Sequence, residues 1–383
     1  MRVIYTAAHA GAGLGVPIGG GGAIASMLAA EWAETTPFEL EVFRPEERAE
    51  ELVAYTQAEY SEFCHRFRRL STNRILSEDP GNCAVLVNDI AEGPDFELLH
   101  RHGYRIYTIW HVDVVAYVAR MYLHGLVSAR ALVRLVQPLE GWLPASAKLV
   151  FHQQRSCVAL STGHIVMTEA MKQTILECYP ETPPEKIHVI PWGVPTQSFV
   201  GQPLPMPRPV LLTLSRISPE KGLVQLLRML RNWRGKATML LCGAPAFMQG
   251  KAVMAELAEL VRTMTNVEVR FPGHLSGQAK ADTFASADVY LFPSVFESYG
   301  LTMMEALSHG VPVIAFDHAG ARAIVQPEFG VLVRDERELH AALDALLGDE
   351  PRRRAMGAAA RAYAQARPFA ESADRVAQLL RAT

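Results

Sequence analysis

Two carboxylates and two cations in the second half of the chain have the types and spacing to hold a diphosphate and the hydroxyls around it. Glu297 and Glu305 lie in the run FPSVFESYGLTMMEAL, residues 292–307. An apolar run ends at Phe292, a turn carries Glu297, and a helix is expected from about Leu301 to the stop at His309-Gly310-Val311-Pro312. Gly300 lets a ligand approach the backbone, and the free N–H groups of Leu301 and Thr302, at the positive end of the helix, form an anion site. Glu305 falls about one turn inside that helix; Glu297 precedes it, with Ser298 and Tyr299 between. Carboxylates flanking a phosphate site suit hydroxyl recognition, one for a ribose diol and one for a sugar. Taken singly, Glu297 is a helix cap and Glu305 a solvated helix residue. Their place at the carboxyl end of a strand, where α/β sheets bind ligands, favours the ligand reading.

The run LSRISPEKG, residues 214–222, points to the same anion. Arg216 and Lys221 sit on a strand-to-helix loop, the one a bidentate fork and the other a mobile point charge, suited to a diphosphate leaving group. Alone they read as two surface charges on a turn. In the first half, Gly20, Gly21 and Gly22, after Pro17-Ile18-Gly19, precede a helical pattern over Ala23–Glu34 and can expose N–H groups to an anion. The bland reading is a loop without a ligand. Gly20, Gly22 and Ala25 also satisfy the dinucleotide fingerprint, with Glu41 as its distal acid. Some twelve residues separate the first strand from Gly20, however, where the fingerprint needs a tight turn. His111 and Asp113 follow a strand directly, which makes His111 a ligand-site candidate and Asp113 the nearest carboxylate to orient it.

These residues need a scaffold, and the pattern supplies one. Short apolar runs alternate with longer helical stretches, the mark of a parallel α/β architecture. In the first half the expected strands are Arg2–Ala7, Leu40–Phe43, Cys83–Asn88, Arg105–Trp110, Leu149–Phe151, Ile165–Thr168 and Ile187–Ile190, with a long helix over Glu46–Leu70. A proline-dense break, Pro191–Pro195 and then 202–209, precedes a restart at Val210–Ser215. Strands at Ala237–Cys242, Val267–Phe271, Val289–Phe292, Val313–Phe316 and Val331–Val333 follow. A chain of 383 residues calls for two domains, and a hinge between them would leave a cleft.

A net charge of −3 gives no basis for nucleic-acid binding. Five scattered cysteines, none as CxxC, argue against a disulfide framework or a structural zinc site. The short apolar start reads as a strand, not a leader, and no run approaches a membrane span, so a cytoplasmic protein is expected. The stretch 46–70 carries Arg66, Arg68 and Arg69, with Arg74 beyond; Tyr117–Val136 carries Arg120, Arg130 and Arg134. Such segments are helices with solvated arginine faces, or they rest on an anionic membrane, where a lipid-linked acceptor would be met.

The run EsyGltmmEAlshGvPViA, preceded by SRISPEKG, resembles family 4 of the glycosyltransferases, and the layout covers essentially the whole chain. That resemblance implies a GT-B fold: two Rossmann-like domains facing across a cleft, here 1–194 with 366–383 packing back on it, and 195–365. It implies that Glu297 approaches the donor sugar, that Glu305 binds the ribose, and that Arg216 and Lys221 bind the diphosphate. It also places Leu275, in Gly273-His274-Leu275, at the base, the glycine loop at the donor phosphates and acceptor, and His111 close to the donor sugar. The family commonly has Asn where this chain has Trp192, which makes Trp192, with Asp113, an acceptor-contact candidate. The implied reaction is retaining transfer of a hexose, glucose by default, from a UDP-linked donor to a carbohydrate or lipid-linked acceptor. No Asp-x-Asp motif stands at a strand end, so neither metal nor cofactor is expected. The rivals are a nucleotide-sugar epimerase of the same fold, a silent sugar-nucleotide binder, and an NAD-dependent oxidoreductase using Gly20–Ala25.

Overall fold

The structure, a computed structural model, describes residues 1–10, 19–35, 38–195 and 199–382. Among these, twelve strands form two parallel sheets of six, each flanked by helices. The first sheet consists of β1 (Arg2–Thr6), β2 (Glu39–Phe43), β3 (Cys83–Val87), β4 (Arg105–Ile109), β5 (Gly163–Val166) and β6 (Ile187–Val189), in the order β2-β1-β3-β4-β5-β6. The second is built from β7 (Val210–Leu214), β8 (Ala237–Cys242), β9 (Val267–Gly273), β10 (Val289–Phe292), β11 (Val313–Phe316) and β12 (Gly330–Val333), ordered β12-β11-β10-β7-β8-β9.

Strands such as CAVLV and VYLF are buried throughout because both sheet faces are covered, which is why they read as continuous apolar runs. In each sheet the chain order reverses beside the first strand, between β1 and β3 and between β7 and β10. The loops leaving those strands therefore diverge and open a crevice at their carboxyl ends, the usual ligand position in such sheets.

The chain divides into two compact units: residues 1–191 with 372–383, and Trp192–Glu371. The helix Phe369–Arg381 crosses the division. Its later part belongs to the first unit, where the Trp32 indole donates to the Ala373 carbonyl (3.0 Å) and Arg375 to the Val189 carbonyl (2.8 Å).

The helices differ from the sequence expectations in four places. Leu149–Phe151 is no strand but part of the helix Ala145–Leu160; a three-residue apolar run is too short to distinguish the two, and helical neighbours decide. The long helix over 46–70 is two, Ala49–Ala54 and Gln57–Leu76. Thr56 starts the second, accepting from the Glu59 N–H while the Glu59 carboxylate accepts from Thr56 N–H. The stretch 117–136 is also two helices, Val114–Met121 and Ala129–Val136, separated where His124 and Gly125 both adopt left-handed backbone. The glycines precede no helix; they form its first turn, since it runs Gly19–Thr35. Pro17 and Ile18 lie outside the described residues.

Candidate functional site

In the second unit the loops after β7 and β10 lie against each other. After Leu214 the chain passes Arg216, forms a 3-10 turn over Pro219–Lys221, and enters the helix Leu223–Asn232 through Gly222. Gly222 has φ +63°, and a β-carbon there would stand 2.0 Å from the Pro293 carbonyl oxygen, so the two backbones touch where only glycine fits. The Val295 N–H donates to the Glu220 carbonyl at 2.9 Å and fixes the contact.

This contact brings the cations to the carboxylates. Lys221 forms an ion pair with Glu297. Burial alone would raise the Glu297 carboxyl, but Lys221, and then Arg216, outweigh it and hold it below the usual carboxylate range. Arg216 is steadied by Glu220 at 3.3 Å, whose buried carboxylate also accepts from the Ser218 hydroxyl at 2.6 Å. Gly300, at φ +121°, opens the helix Leu301–Ser308, and the Tyr290 hydroxyl braces its first turn, 2.8 Å from Thr302 Oγ1. Ser298 and Tyr299 are buried, the Tyr299 hydroxyl donating to the Trp192 carbonyl at 2.7 Å. Glu305 pairs with Lys280 at 2.6 Å. Leu275 lines a cavity of about 400 Å³ with Arg270, Phe271 and Pro272.

Four of these side chains escaped the sequence reading: Glu220, Lys280, Tyr290 and His318. His318 follows β11, and its Nδ1 accepts from the Ala321 N–H (3.3 Å) at the start of the short helix Ala319–Arg322. The ring proton is therefore on Nε2, which is buried without a hydrogen-bond partner. A β-carbon on neighbouring Gly320 would lie 2.4 Å from the Glu297 carbonyl oxygen and 3.3 Å from His318 Cε1, so the imidazole borders the Glu297 turn. Burial pushes its pKa down to about 4.

The first unit gathers polar groups where β1, β3 and β4 end. The Asn88 amide oxygen accepts from the Tyr5 hydroxyl (2.6 Å) and from His111 Nε2 (2.8 Å), while its nitrogen donates to Asp89 (3.2 Å). His111 is thus a neutral ring with its proton on Nε2, and burial lowers its pKa to about 4. Asp89, despite burial, is held down at about 2, chiefly by His9 at 3.1 Å. The other nitrogen of His9 faces the Tyr60 hydroxyl (2.8 Å), which donates to Glu92 (2.5 Å). A β-carbon at Gly21 would come within 3.2 Å of His111 Cδ2 and 3.4 Å of the Asn88 nitrogen. Gly21 is therefore packed on this network beside His111, while Gly20 is exposed.

Two expectations change. Asp113 does not orient His111: its carboxylate caps the helix Val114–Met121, accepting from Ala116 N–H (2.9 Å) and Gln154 (3.0 Å), and Asn88 is the group that holds the histidine. Trp192 is 1% exposed, its ring 5.8 Å from that of Phe369, and so fills the core of the second unit instead of facing an acceptor. The dinucleotide fingerprint also fails in place. Twelve residues lie between Thr6 and the start of the helix at Gly19, and Glu41 is tied to Arg2 (2.9 Å) and Arg74 (2.8 Å). Among the described residues no cluster of three His, Cys, Asp or Glu could hold a metal ion, and no helix is long and apolar enough to cross a membrane.

Two parallel α/β units with crevices at their switch points are arranged as in the GT-B fold, and solved structures agree. Sucrose-phosphate synthase from Thermosynechococcus elongatus superposes with a TM-score of 0.78 over 99% of this chain and 98% of its own, at 17% identity. Anabaena HepE in complex with UDP and glucose gives 0.69 over 100% of both chains at 15% identity. These likenesses are of fold. In sequence, residues 196–363 match the model of the glycosyl transferases group 1. The D-inositol 3-phosphate glycosyltransferase of Kineococcus radiotolerans is 31% identical over 271 residues, 63% of this chain and 62% of that relative. The match therefore spans about three fifths of the relative's length.

Proposed function

We propose that this chain is a retaining, metal-independent glycosyltransferase of family 4. It moves a hexose, glucose by default, from a UDP-linked donor to a carbohydrate or lipid-linked acceptor. One observation carries the reading: Arg216, Lys221, Glu297 and the helix at Leu301 converge where β7 and β10 end. The UDP and glucose held by Anabaena HepE support the choice of donor.

In this reading the bond between the anomeric carbon and the diphosphate oxygen breaks while the acceptor hydroxyl attacks on the same face. The acceptor's proton passes to the departing diphosphate. Negative charge grows on that group, and Arg216, Lys221 and the first N–H groups of the helix stabilise it, a preorganised term that commonly dominates catalysis. Lys221 leaves its pair with Glu297 for the phosphate, which frees the carboxylate for a sugar hydroxyl; Glu305 exchanges Lys280 for the ribose. In the first unit, His111 and its network supply hydroxyl-binding groups of their own.

The test is a thermal-shift and calorimetry panel of UDP, GDP, ADP, their glucose conjugates, NAD and NADP, on wild type and on Arg216→Ala/Lys221→Ala. A ligand at 100 times its dissociation constant adds about 2.7 kcal/mol of stability. One nucleoside diphosphate should stabilise the wild type and not the double variant. Stabilisation by NAD alone, or by none of them, overturns the reading. With a sugar conjugate identified, turnover that persists in EDTA supports metal independence, and turnover of donor without any acceptor would indicate an epimerase.

A further inference from the structure

Five large apolar side chains between residues 122 and 142 stand in solvent. Leu126 is 87% exposed and Trp142 90%; Leu135 is 62% exposed, and Tyr122 and Leu139 are each 57% exposed. They belong to consecutive segments after β4: the end of helix Val114–Met121, the turn at His124-Gly125, the helix Ala129–Val136 and the 3-10 stretch Gln137–Trp142. Leu132 and Val133 turn one side of this path into the core. Leu139 and Trp142, three apart in the 3-10 stretch, lie on the same side of it, and Leu135 is exposed in the helix just before. An apolar patch of this kind marks an interaction surface.

Charge decides what the surface meets. From 114 to 148 the basic residues are Arg120, Arg130, Arg134 and Lys148, all exposed. The single carboxylate of that stretch is Glu140, largely covered and paired with Arg155 (2.7 Å) and His152 (2.5 Å). The exposed charge of this stretch is thus positive beside its apolar tips, while exposed carboxylates stand on neighbouring helices, among them Glu97, 3.4 Å from His152, and Glu177. In the other basic stretch, 46–74, three arginines are engaged elsewhere, Arg66 with Glu47, Arg74 with Glu41 and Glu78, and Arg68 with the Ala91 carbonyl, which leaves Arg69 exposed. A bilayer of anionic lipid accepts both features: aliphatic and indole groups at the acyl boundary, arginines at the phosphates.

We infer that the 122–142 surface docks the first unit on an anionic membrane, with Leu126, Leu135, Leu139 and Trp142 entering the headgroup region and Arg120, Arg130 and Arg134 on lipid phosphates. The docking strip follows His111 directly in sequence, so a lipid-borne hydroxyl would be delivered at the polar network of this unit. That corollary rests on the transferase reading; the docking itself does not.

Trp142 is an intrinsic reporter, because the other four tryptophans, Trp32, Trp110, Trp192 and Trp233, are buried. The experiment is flotation and tryptophan fluorescence of the full chain with phosphatidylcholine vesicles, with and without one quarter phosphatidylglycerol. Anionic vesicles should float the protein and blue-shift its emission, with quenching by lipids brominated near the headgroup; Trp142→Phe removes the shift and the quenching. Arg130→Gln/Arg134→Gln should lower partitioning about thirtyfold, at roughly 1 kcal/mol per basic residue. Leu126→Asp/Leu139→Asp should abolish it, with melting unchanged because both sites are exposed. Absence of flotation by folded wild type, or flotation indifferent to these variants, overturns the proposal. So does a wild-type dimer that the leucine variant splits without any vesicle binding, which would assign the surface to a second copy. Nucleotide binding measured alongside separates failure of docking from failure of the transferase reading.

Discussion

Three imidazoles are kept neutral by their surroundings: His111, His164 and His318, each pushed by burial to about 4. His164 shows why. The Trp110 indole donates to its Nδ1 (3.2 Å), and its Nε2 reaches the Val158 carbonyl (3.3 Å), a pattern that a neutral ring satisfies. Between pH 6.5 and 4 the unfolded chain takes up protons at these positions and the folded one does not. Their contribution to stability is therefore complete above pH 6.5 and declines as the pH falls toward 4. Asp89, depressed to about 2, acts later, its contribution being lost only below pH 4. Urea denaturation at pH 5 against pH 7.5 should reveal a loss on the order of 2 kcal/mol for each histidine, and equal stability at the two values would mean that the rings are charged when folded. His318 supports a sharper expectation. His318→Asn keeps an acceptor for the Ala321 N–H and removes the buried Nε2 donor. Melting should barely move, while binding of the nucleotide sugar weakens about tenfold, the loss of roughly 1.5 kcal/mol for a hydrogen bond to a charged partner. If binding of the free diphosphate falls equally, the imidazole meets phosphate; if only the sugar conjugate suffers, it meets the sugar.

At the scale of elements, the join between the β7 and β10 loops is the feature on which the candidate site depends. Gly222→Ala adds a β-carbon 2.0 Å from the Pro293 carbonyl at a left-handed backbone position, which should cost roughly 2 kcal/mol or more. Gly103 is the control, with φ +81° and open space around it; its alanine variant should carry the backbone strain alone and leave nucleotide binding intact. Calorimetry that finds both variants binding normally would show that the loops can separate without harm. The same elements explain what was legible beforehand. Arg216, Lys221, Glu297 and Glu305 could be read because strand, turn and helix mouth are contiguous in sequence and each bears its own punctuation. Lys280, Asn88 and Asp89 could not, since they meet their partners only through strand order. His318 carries a sequence signal, its place just after β11; Asp113, just past a strand end, caps a helix, and Trp192, at a position where the family commonly has Asn, fills a core.

Across the whole molecule, the two units differ in how the chain composes them. The second is one continuous stretch, Trp192–Glu371, and the first is made of residues 1–191 and 372–383. Ala373, Val376, Ala377 and Leu380 are fully buried in it. Ending the chain at Glu371 removes the buried Val376 and Leu380, at about 1.5–3 kcal/mol each, and uncovers the apolar surface they pack on. The first unit should then melt well below its normal temperature, while the stabilisation of the second by its nucleotide persists; a single unshifted transition would contradict this. The helix Phe369–Arg381 also sets an order of events at the ribosome. Residues 1–191 emerge first but lack their closing segment, whereas the later-made stretch can finish once Glu371 is clear of the exit tunnel. The half synthesised first is thus the half completed last, and through the time needed to translate some 180 residues its sheet must wait with one flank uncovered, a natural interval for a chaperone to occupy.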